Sequence, residues 1–292
     1  MHPAEIYKKK GGSVVKAMGK RKKRYWIQGT LVFLAGILFM MPVFLIVMNA
    51  FKSNREIMLS FLSFPKTLYL HNFQEAMRLM NFWVSFRNTA VIAVGTVFLS
   101  VIVSYMAAYG ISHLRGKLSD GFYLFFVLGQ LVSIHTVMVY ISVMATKFHM
   151  NNTFWGLILI HGGFNSAFGV MTYTGFLKSV PRELEEAAAI DGCNAFQIMT
   201  RIVLPLVKPT TMTVSVLYFL WSWNEFLLPS IMIGDSQLRP LTVNLNMFKN
   251  TSGTEWNYLI AGLTLTLIPI FIIYILAQKY ITSGMMSGAV KS

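Results

Sequence analysis

Glu186-Ala187-Ala188-Ala189-Ile190-Asp191-Gly192, followed after nine residues by Ile202-Val203-Leu204-Pro205, is a polar, helix-forming island between two long segments almost without charge. Upstream of it, residues 148–177 contain no Asp, Glu, Lys or Arg, and downstream, residues 209–234 contain only Glu225. Further out, residues 25–51, 88–114, 121–146 and 256–278 are also free of all four. Each window reaches the roughly 20 apolar residues that cross a hydrocarbon core as a helix. A soluble protein would need polar faces on such helices, yet hydrophobic residues make up 55% of this chain and charged ones only 12%. The pattern predicts an all-α integral membrane protein with six transmembrane helices, at about 26–50, 88–112, 121–145, 153–177, 208–233 and 257–281.

The positions of Lys and Arg orient these spans. With the N-terminus inside, the inner segments hold 17 basic residues, nine of them between Lys8 and Arg24, and the outer segments hold 8, so both termini are expected in the cytoplasm. A basic face on anionic lipid accounts for the net charge of +14 and requires no nucleic acid. The first apolar run is about twice as long as a secretory signal's, and its end, Val47-Met48-Asn49-Ala50, lacks a small-x-small cleavage site. It reads as an uncleaved span in the cell membrane. Cys193, the single cysteine, excludes an internal disulfide. The chain divides into a basic cytoplasmic tail (1–24), a transmembrane domain (25–283) with an inner connection at 178–207, and a cytoplasmic tail (284–292).

That inner connection, between the fourth and fifth spans, is the exceptional loop. Ser179-Val180-Pro181 offers a capping hydroxyl and a proline tolerated in a first helical turn, and Glu183, Glu185 and Glu186 then sit near the positive end of the helix dipole. Gly192 suits the left-handed conformation just past a helix end. Phe196, Met199, Ile202 and Val203 recur at helical spacing, and Pro205 and Pro209 close the second helix before the fifth span. A surface-lying lipid helix favours Lys and Arg on its polar face; glutamates at 183, 185 and 186 would be repelled by anionic lipid. Small alanines flanked by carboxylates instead suit close approach by a partner protein.

The pattern Glu-Ala-Ala, three residues, Gly, nine residues, Ile, one residue, Leu-Pro is matched by Glu186-Ala187-Ala188, Gly192, Ile202 and Leu204-Pro205. It resembles the signature loop of permease subunits in binding-protein-dependent ABC importers. Asp191 before the glycine, Trp221-Ser222-Trp223-Asn224-Glu225-Phe226 and the ending Ser287-Gly288-Ala289-Val290-Lys291 are similar to the carbohydrate branch, in particular the smaller maltose-type second permease. Cys193 departs from the alanine many relatives carry. The resemblance implies a coupling helix at 181–192 that inserts into a cytoplasmic ATPase, with Glu183, Glu186, Ala187, Ala188, Asp191 and Gly192 at the contact and Leu204 and Pro205 anchoring the loop. It also implies a second related permease as heterodimer partner, two ATPase subunits holding ATP and Mg, an extracytoplasmic solute-binding protein, and a role near the ATPases for Gly288 to Ser292.

The chain itself has no Gly-x-x-x-x-Gly-Lys-Ser/Thr loop to cradle phosphates. It reads as a transport subunit without an ATPase or a cofactor of its own, and no Cys/His cluster has metal-ligand spacing. Polar and aromatic residues inside spans mark a candidate substrate path: His161, which opens the run His161-Gly162-Gly163-Phe164-Asn165-Ser166 and its expected interruption of the fourth span, Asn165, and Tyr218, Trp221, Trp223, Asn224 and Glu225 in the fifth. Aromatic faces stack on sugar rings, and amides and carboxylates satisfy hydroxyls, so the set suits a carbohydrate; an interfacial aromatic belt is the competing reading. His135 and His161 raise an ion-coupled secondary transporter as the alternative, but an acidic helix-Gly-helix loop serves no evident purpose in such a carrier. An intramembrane enzyme would need a nucleophile with its base or paired carboxylates, and none is present.

Overall fold

The computed structural model describes residues 28–250 and 253–289, which fall into two compact units, one ending at Leu70 and the other beginning at His71. The basic tail 1–24 and residues 290–292, with the end of the proposed ATPase-facing tail, lie outside the described residues.

In the first unit, α1 (Gln28–Asn49) is apolar along its length, with a mean hydropathy of 2.8. The chain then folds back on itself. Asn49 Nδ2 donates to the carbonyls of Leu45 (2.7 Å) and Phe61 (2.9 Å). The Lys52 ammonium, fully buried, donates to the carbonyls of Ser60 (2.9 Å) and Phe61 (3.2 Å). Between them lies α2 (Asn54–Leu59), whose first turn is capped by the Ser53 hydroxyl.

The second unit opens with α3 (His71–Leu79) and the 32-residue α4 (Phe82–His113). Then come α5 (Lys117–Leu131) and α6 (Ile134–Lys147), followed by α7 (Phe154–Leu177) and α8 (Arg182–Ile190). After α9 (Ala195–Leu206) and α10 (Lys208–Asn224), a short α11 (Leu227–Met232) and α12 (Leu241–Asn244) lead through two paired antiparallel strands, Lys249–Asn250 and Gly253–Thr254, to α13 (Trp256–Ala289). Among the described residues four helices, α1, α4, α7 and α13, are long and apolar enough to cross a membrane, or up to six spans if the bent pairs α5–α6 and α9–α10 each count as one.

The α5–α6 pair departs from the straight span expected, whereas the bend between α9 and α10 falls where the loop was expected to meet the fifth span. At Val132 and Ser133 the backbone is extended, and α6 leaves α5 at 95°; with neither Pro nor Gly at the break, hydropathy alone does not reveal it. Helix α10 ends at Asn224, short of the 233 expected for the fifth span, because Glu225 is extended and its Oε1 accepts from the amides of Leu227 (2.9 Å) and Leu228 (3.3 Å), satisfying the first free donors of α11. In contrast, α7 runs unbroken through Gly162-Gly163, where an interruption was expected. A Cβ on Gly162 would lie 2.6 Å from Leu99 Cδ2, so the glycine serves close helix packing rather than a break.

Packing is set by polarity turned inward. On α4, Ser85, Asn88, Thr89, Thr96, Ser100 and Ser104 are all buried at spacings of one to seven residues along one face, while Val91, Val94 and Phe98 are exposed. Lipid supplies no hydrophobic drive between helices, so small and hydrogen-bonding residues make the contacts. Thus Asn88 Nδ2 donates to the carbonyls of Gln237 (2.8 Å) and Arg239 (3.3 Å), the Thr89 hydroxyl accepts from the Leu241 amide (2.9 Å), and Asn244 donates to Ser85 (2.6 Å). Further along, the Ser104 and Tyr218 hydroxyls are 3.1 Å apart.

Candidate functional site

The acidic loop forms the two short helices that its sequence specifies, α8 and α9. Pro181 rather than Ser179 occupies the position before α8; the Ser179 hydroxyl instead donates to the Phe176 carbonyl at 2.6 Å and closes α7. Gly192 adopts φ +86°, the left-handed region expected of a helix-ending glycine. Asn194 and Gln197 then form a reciprocal capping box that starts α9. Within α9 the Ile198–Val203 turn is widened to π-helical geometry, and the Leu204 amide reaches the Met199 carbonyl. The next residue, Pro205, has no amide to donate, and a widened turn accommodates that loss. Leu204 is half-buried against the core, whereas Pro205 is exposed.

The two faces of α8 differ. Ala188, 7% exposed, is packed in a core with Tyr105, Ile111, Tyr173 and Val203. Three residues earlier on that face, Glu185 turns inward, and its Oε2 accepts from the Tyr109 hydroxyl (3.0 Å) and lies 2.8 Å from His113 Nε2. Glu183, Glu186 and Ala187 face outward with Asp191 and Gly192, and Ile190 and Phe196 are 86% and 68% exposed. Ala188 therefore belongs to the inner face of the helix, not to the contact surface first assigned to it. The remaining expected residues share one accessible surface.

A second constellation lies among α6, α7 and α10. A cavity of ≈ 410 Å³ is lined by Ile134, His135, His161, Phe164, Asn165, Leu220, Trp221, Asn224 and Glu225. Five of the seven residues expected along a substrate path are thus brought together. The other two turn away. Trp223, 3% exposed, packs between Phe86 of α4 and Phe219, with ring centroids 5.7 and 5.2 Å away. Trp221 and Trp223 are two residues apart on a helix and point about 200° apart, so one cavity cannot take both. Tyr218 is fully buried, its hydroxyl committed to Ser104.

Within the cavity wall, His135 Nε2 stands 3.9 Å from Glu225 Oε2, and Asn224 Nδ2 donates to the Leu220 carbonyl at 2.8 Å. Two buried polar atoms, His161 Nε2 and Asn165 Nδ2, have no hydrogen-bond partner among the described residues. Leaving such polar atoms unsatisfied costs about 1–3 kcal/mol each, a cost that a polar group entering the cavity would offset. His135 joins this set through the α5–α6 bend, which spacing along the chain does not show. Among the described residues no three His, Cys, Asp or Glu side chains gather into a metal-holding group.

The model of the family described as "Binding-protein-dependent transport system inner membrane component" matches residues 100–287. The probable starch degradation products transport system permease protein AmyC of Thermoanaerobacterium thermosulfurigenes is 38% identical over 87% of this chain and 93% of its own length. The multiple sugar-binding transport system permease protein MsmG of Streptococcus mutans is 32% identical over 93% of this chain and 99% of its own length. A chain of a bacterial ABC transporter involved in import of the acidic polysaccharide alginate shares the fold, with a TM-score of 0.75 at 21% identity over 87% of this chain and 95% of that one. The chain therefore belongs to the binding-protein-dependent transport system inner membrane components, as one of the carbohydrate ABC transporter permeases.

Proposed function

We propose that this chain is the permease subunit of an ATP-driven importer for a sugar or oligosaccharide and that α8 couples it to a cytoplasmic ATPase. The observation that carries the reading is the two-sided character of α8. Its rear is fixed to the rest of the permease by buried Ala188 and by Glu185, while Glu183, Glu186, Ala187 and Ile190 are left facing out. A helix held from behind and exposed in front moves with its own subunit when a partner moves it.

The chain crosses the membrane six times with both termini cytoplasmic, counting α5–α6 as the third span and α10 with its approach as the fifth. Residues 1–24 and 284–292 are its cytoplasmic tails. It assembles with a second, related permease, two ATPase subunits that bind ATP and Mg, and an extracytoplasmic solute-binding protein. Closure of the ATPase pair displaces α8 and switches the cavity between outward and inward access.

The cavity lines the solute path. Trp221 offers a ring face; Asn165, His161, Asn224 and Glu225 offer hydrogen bonds to hydroxyls. The carbohydrate names of the matched relatives support that substrate class. The test is recovery of the tagged chain from its native membranes in mild detergent. An ATPase and a second multispan chain should come with it, and Glu186→Lys or Gly192→Pro should lose the ATPase while leaving the chain in the membrane. Full ATPase recovery in both variants would refute the coupling role of α8.

A further inference from the structure

Three ring-bearing residues lie four apart on one face of the last turns of α4: Tyr105, Tyr109 and His113. Their rings form a ladder, with centroids 6.3 Å apart for the first pair and 4.1 Å for the second. Each rung reaches out of α4 to a different point of the α8–α9 unit. The Tyr105 hydroxyl donates to the Met199 carbonyl at 2.6 Å, in the widened turn of α9. The hydroxyl of Tyr109 donates to Glu185 Oε2 at 3.0 Å, and His113 Nε2 meets the same oxygen at 2.8 Å. Arg182 adds a bond from its guanidinium to the Ser112 carbonyl at 3.3 Å.

We propose that Tyr105, Tyr109 and His113 are positioning residues for energy coupling, a clasp that makes α8, α9 and the end of α4 one rigid lever. The proposal rests on the reading of α8 as the ATPase-coupling helix and names the residues through which its displacement enters the transmembrane bundle.

Two features favour a lever over simple packing. Glu185 is the one acidic residue of α8 turned inward, and its Oε2 is shared by two α4 side chains, so α8 cannot rotate without breaking both contacts. Tyr105 also directly follows Ser104, which meets Tyr218 of α10, and the Tyr218 ring lies 6.0 Å from that of Trp221 in the cavity wall. Hydrogen bonds and ring contacts, joined by the covalent step from Tyr105 to Ser104, thus run from α8 to the cavity.

The test uses the whole transporter, recovered through a tag on this chain and placed in proteoliposomes, with Cys193→Ala and Asn224→Cys as the parent background. A membrane-impermeant maleimide reads access to residue 224 with and without ATP, and ATP hydrolysis is measured on the same sample. Tyr109→Phe removes one hydroxyl and keeps the ring, so it does not threaten the fold; Tyr109→Phe with His113→Ala removes both partners of Glu185.

The double variant should keep its ATPase and its hydrolysis rate but lose about tenfold in the ATP-dependent labelling change per ATP hydrolysed, within the range over which residues along a coupled path modulate coupling. Tyr109→Phe should lie between, and His113→Gln, which retains a donor near the Nε2 position, should restore most of the change in place of His113→Ala. A purely structural role would lower recovery and hydrolysis together and leave the ratio unchanged, and that result overturns the proposal. So does a ratio within twofold of the parent in the double variant. If no ATPase accompanies the unsubstituted chain, the coupling reading itself fails and the clasp falls with it.

Discussion

Gly169 of α7 sits where α4, α7 and α10 converge, and Gly169→Ala is the substitution whose cost the geometry defines best. A Cβ there would overlap the Tyr218 hydroxyl and the Ser104 hydroxyl and stand 2.5 Å from Ser104 Cβ. The last contact is the decisive one, because a Cβ moves only with its backbone. Overpacking of this kind costs about 1–3 kcal/mol, and losing the Ser104–Tyr218 bond adds about 0.6 kcal/mol, the average for an interhelical hydrogen bond in a membrane protein. The expected loss is about 2–4 kcal/mol, read as a lower midpoint in denaturant titration of the chain in mild detergent. Two glycines of the same helix calibrate the assay. Gly162→Ala meets the mobile end of Leu99 at 2.6 Å and should cost about 1 kcal/mol. Gly163→Ala meets nothing within 4 Å and should stabilise by up to about 1 kcal/mol through helix propensity. Equal midpoints for the 169 and 163 variants would refute the close approach of α4 and α7 from which the rest of the site is positioned.

Other outcomes follow from the same geometry. Asn165→Leu removes a buried donor that has no partner among the described residues; it should leave the denaturation midpoint unchanged or raise it, and still reduce sugar uptake by the assembled transporter, whereas a normal rate would return Asn165 to packing. Asn88→Leu deprives the Gln237 and Arg239 carbonyls of their donor and should cost about 1–3 kcal/mol, measured by the same titration and accompanied by faster proteolysis between α11 and α12. Ile190→Asp, at a side chain that touches little of its own chain, should not move the midpoint but should cut ATPase co-recovery several-fold; undiminished recovery would place the docking surface elsewhere on the loop.

Hydropathy located the apolar segments, and spacing located the helix-Gly-helix loop, because both depend on composition within a single segment. Direction was harder to read. Glu185 and Ala188 are three apart and share a face of α8, so one buried alanine forces that glutamate inward, but nothing in the order Glu185-Glu186 says which of the two is turned. Trp221 and Trp223 are separable by helical geometry alone, since neighbours at i and i+2 face apart; grouping them as one aromatic feature concealed this. The bend at Val132 and Ser133 left no mark in composition, and His135 enters the cavity only because of it.

The polar stripe of α4 shows why a membrane chain can announce its spans and still conceal their arrangement. Mean hydropathy sums over all faces of a helix, whereas association in lipid depends on a few small or hydrogen-bonding groups on one of them. From Ser85 to Ser104 these groups hold α12 and the segment before it, and then the flank of α10. Beyond Ser104 the side chains lengthen to tyrosine and histidine, and their partners become the acidic helix and the widened turn of α9. Short polar side chains let two helices touch along their length; long ones reach an element that lies outside the bundle. The change from short to long polar side chains along α4 therefore marks where the helix stops packing as a span and starts holding α8, and interchanging the two kinds of residue across Ser104 should cost both functions at once.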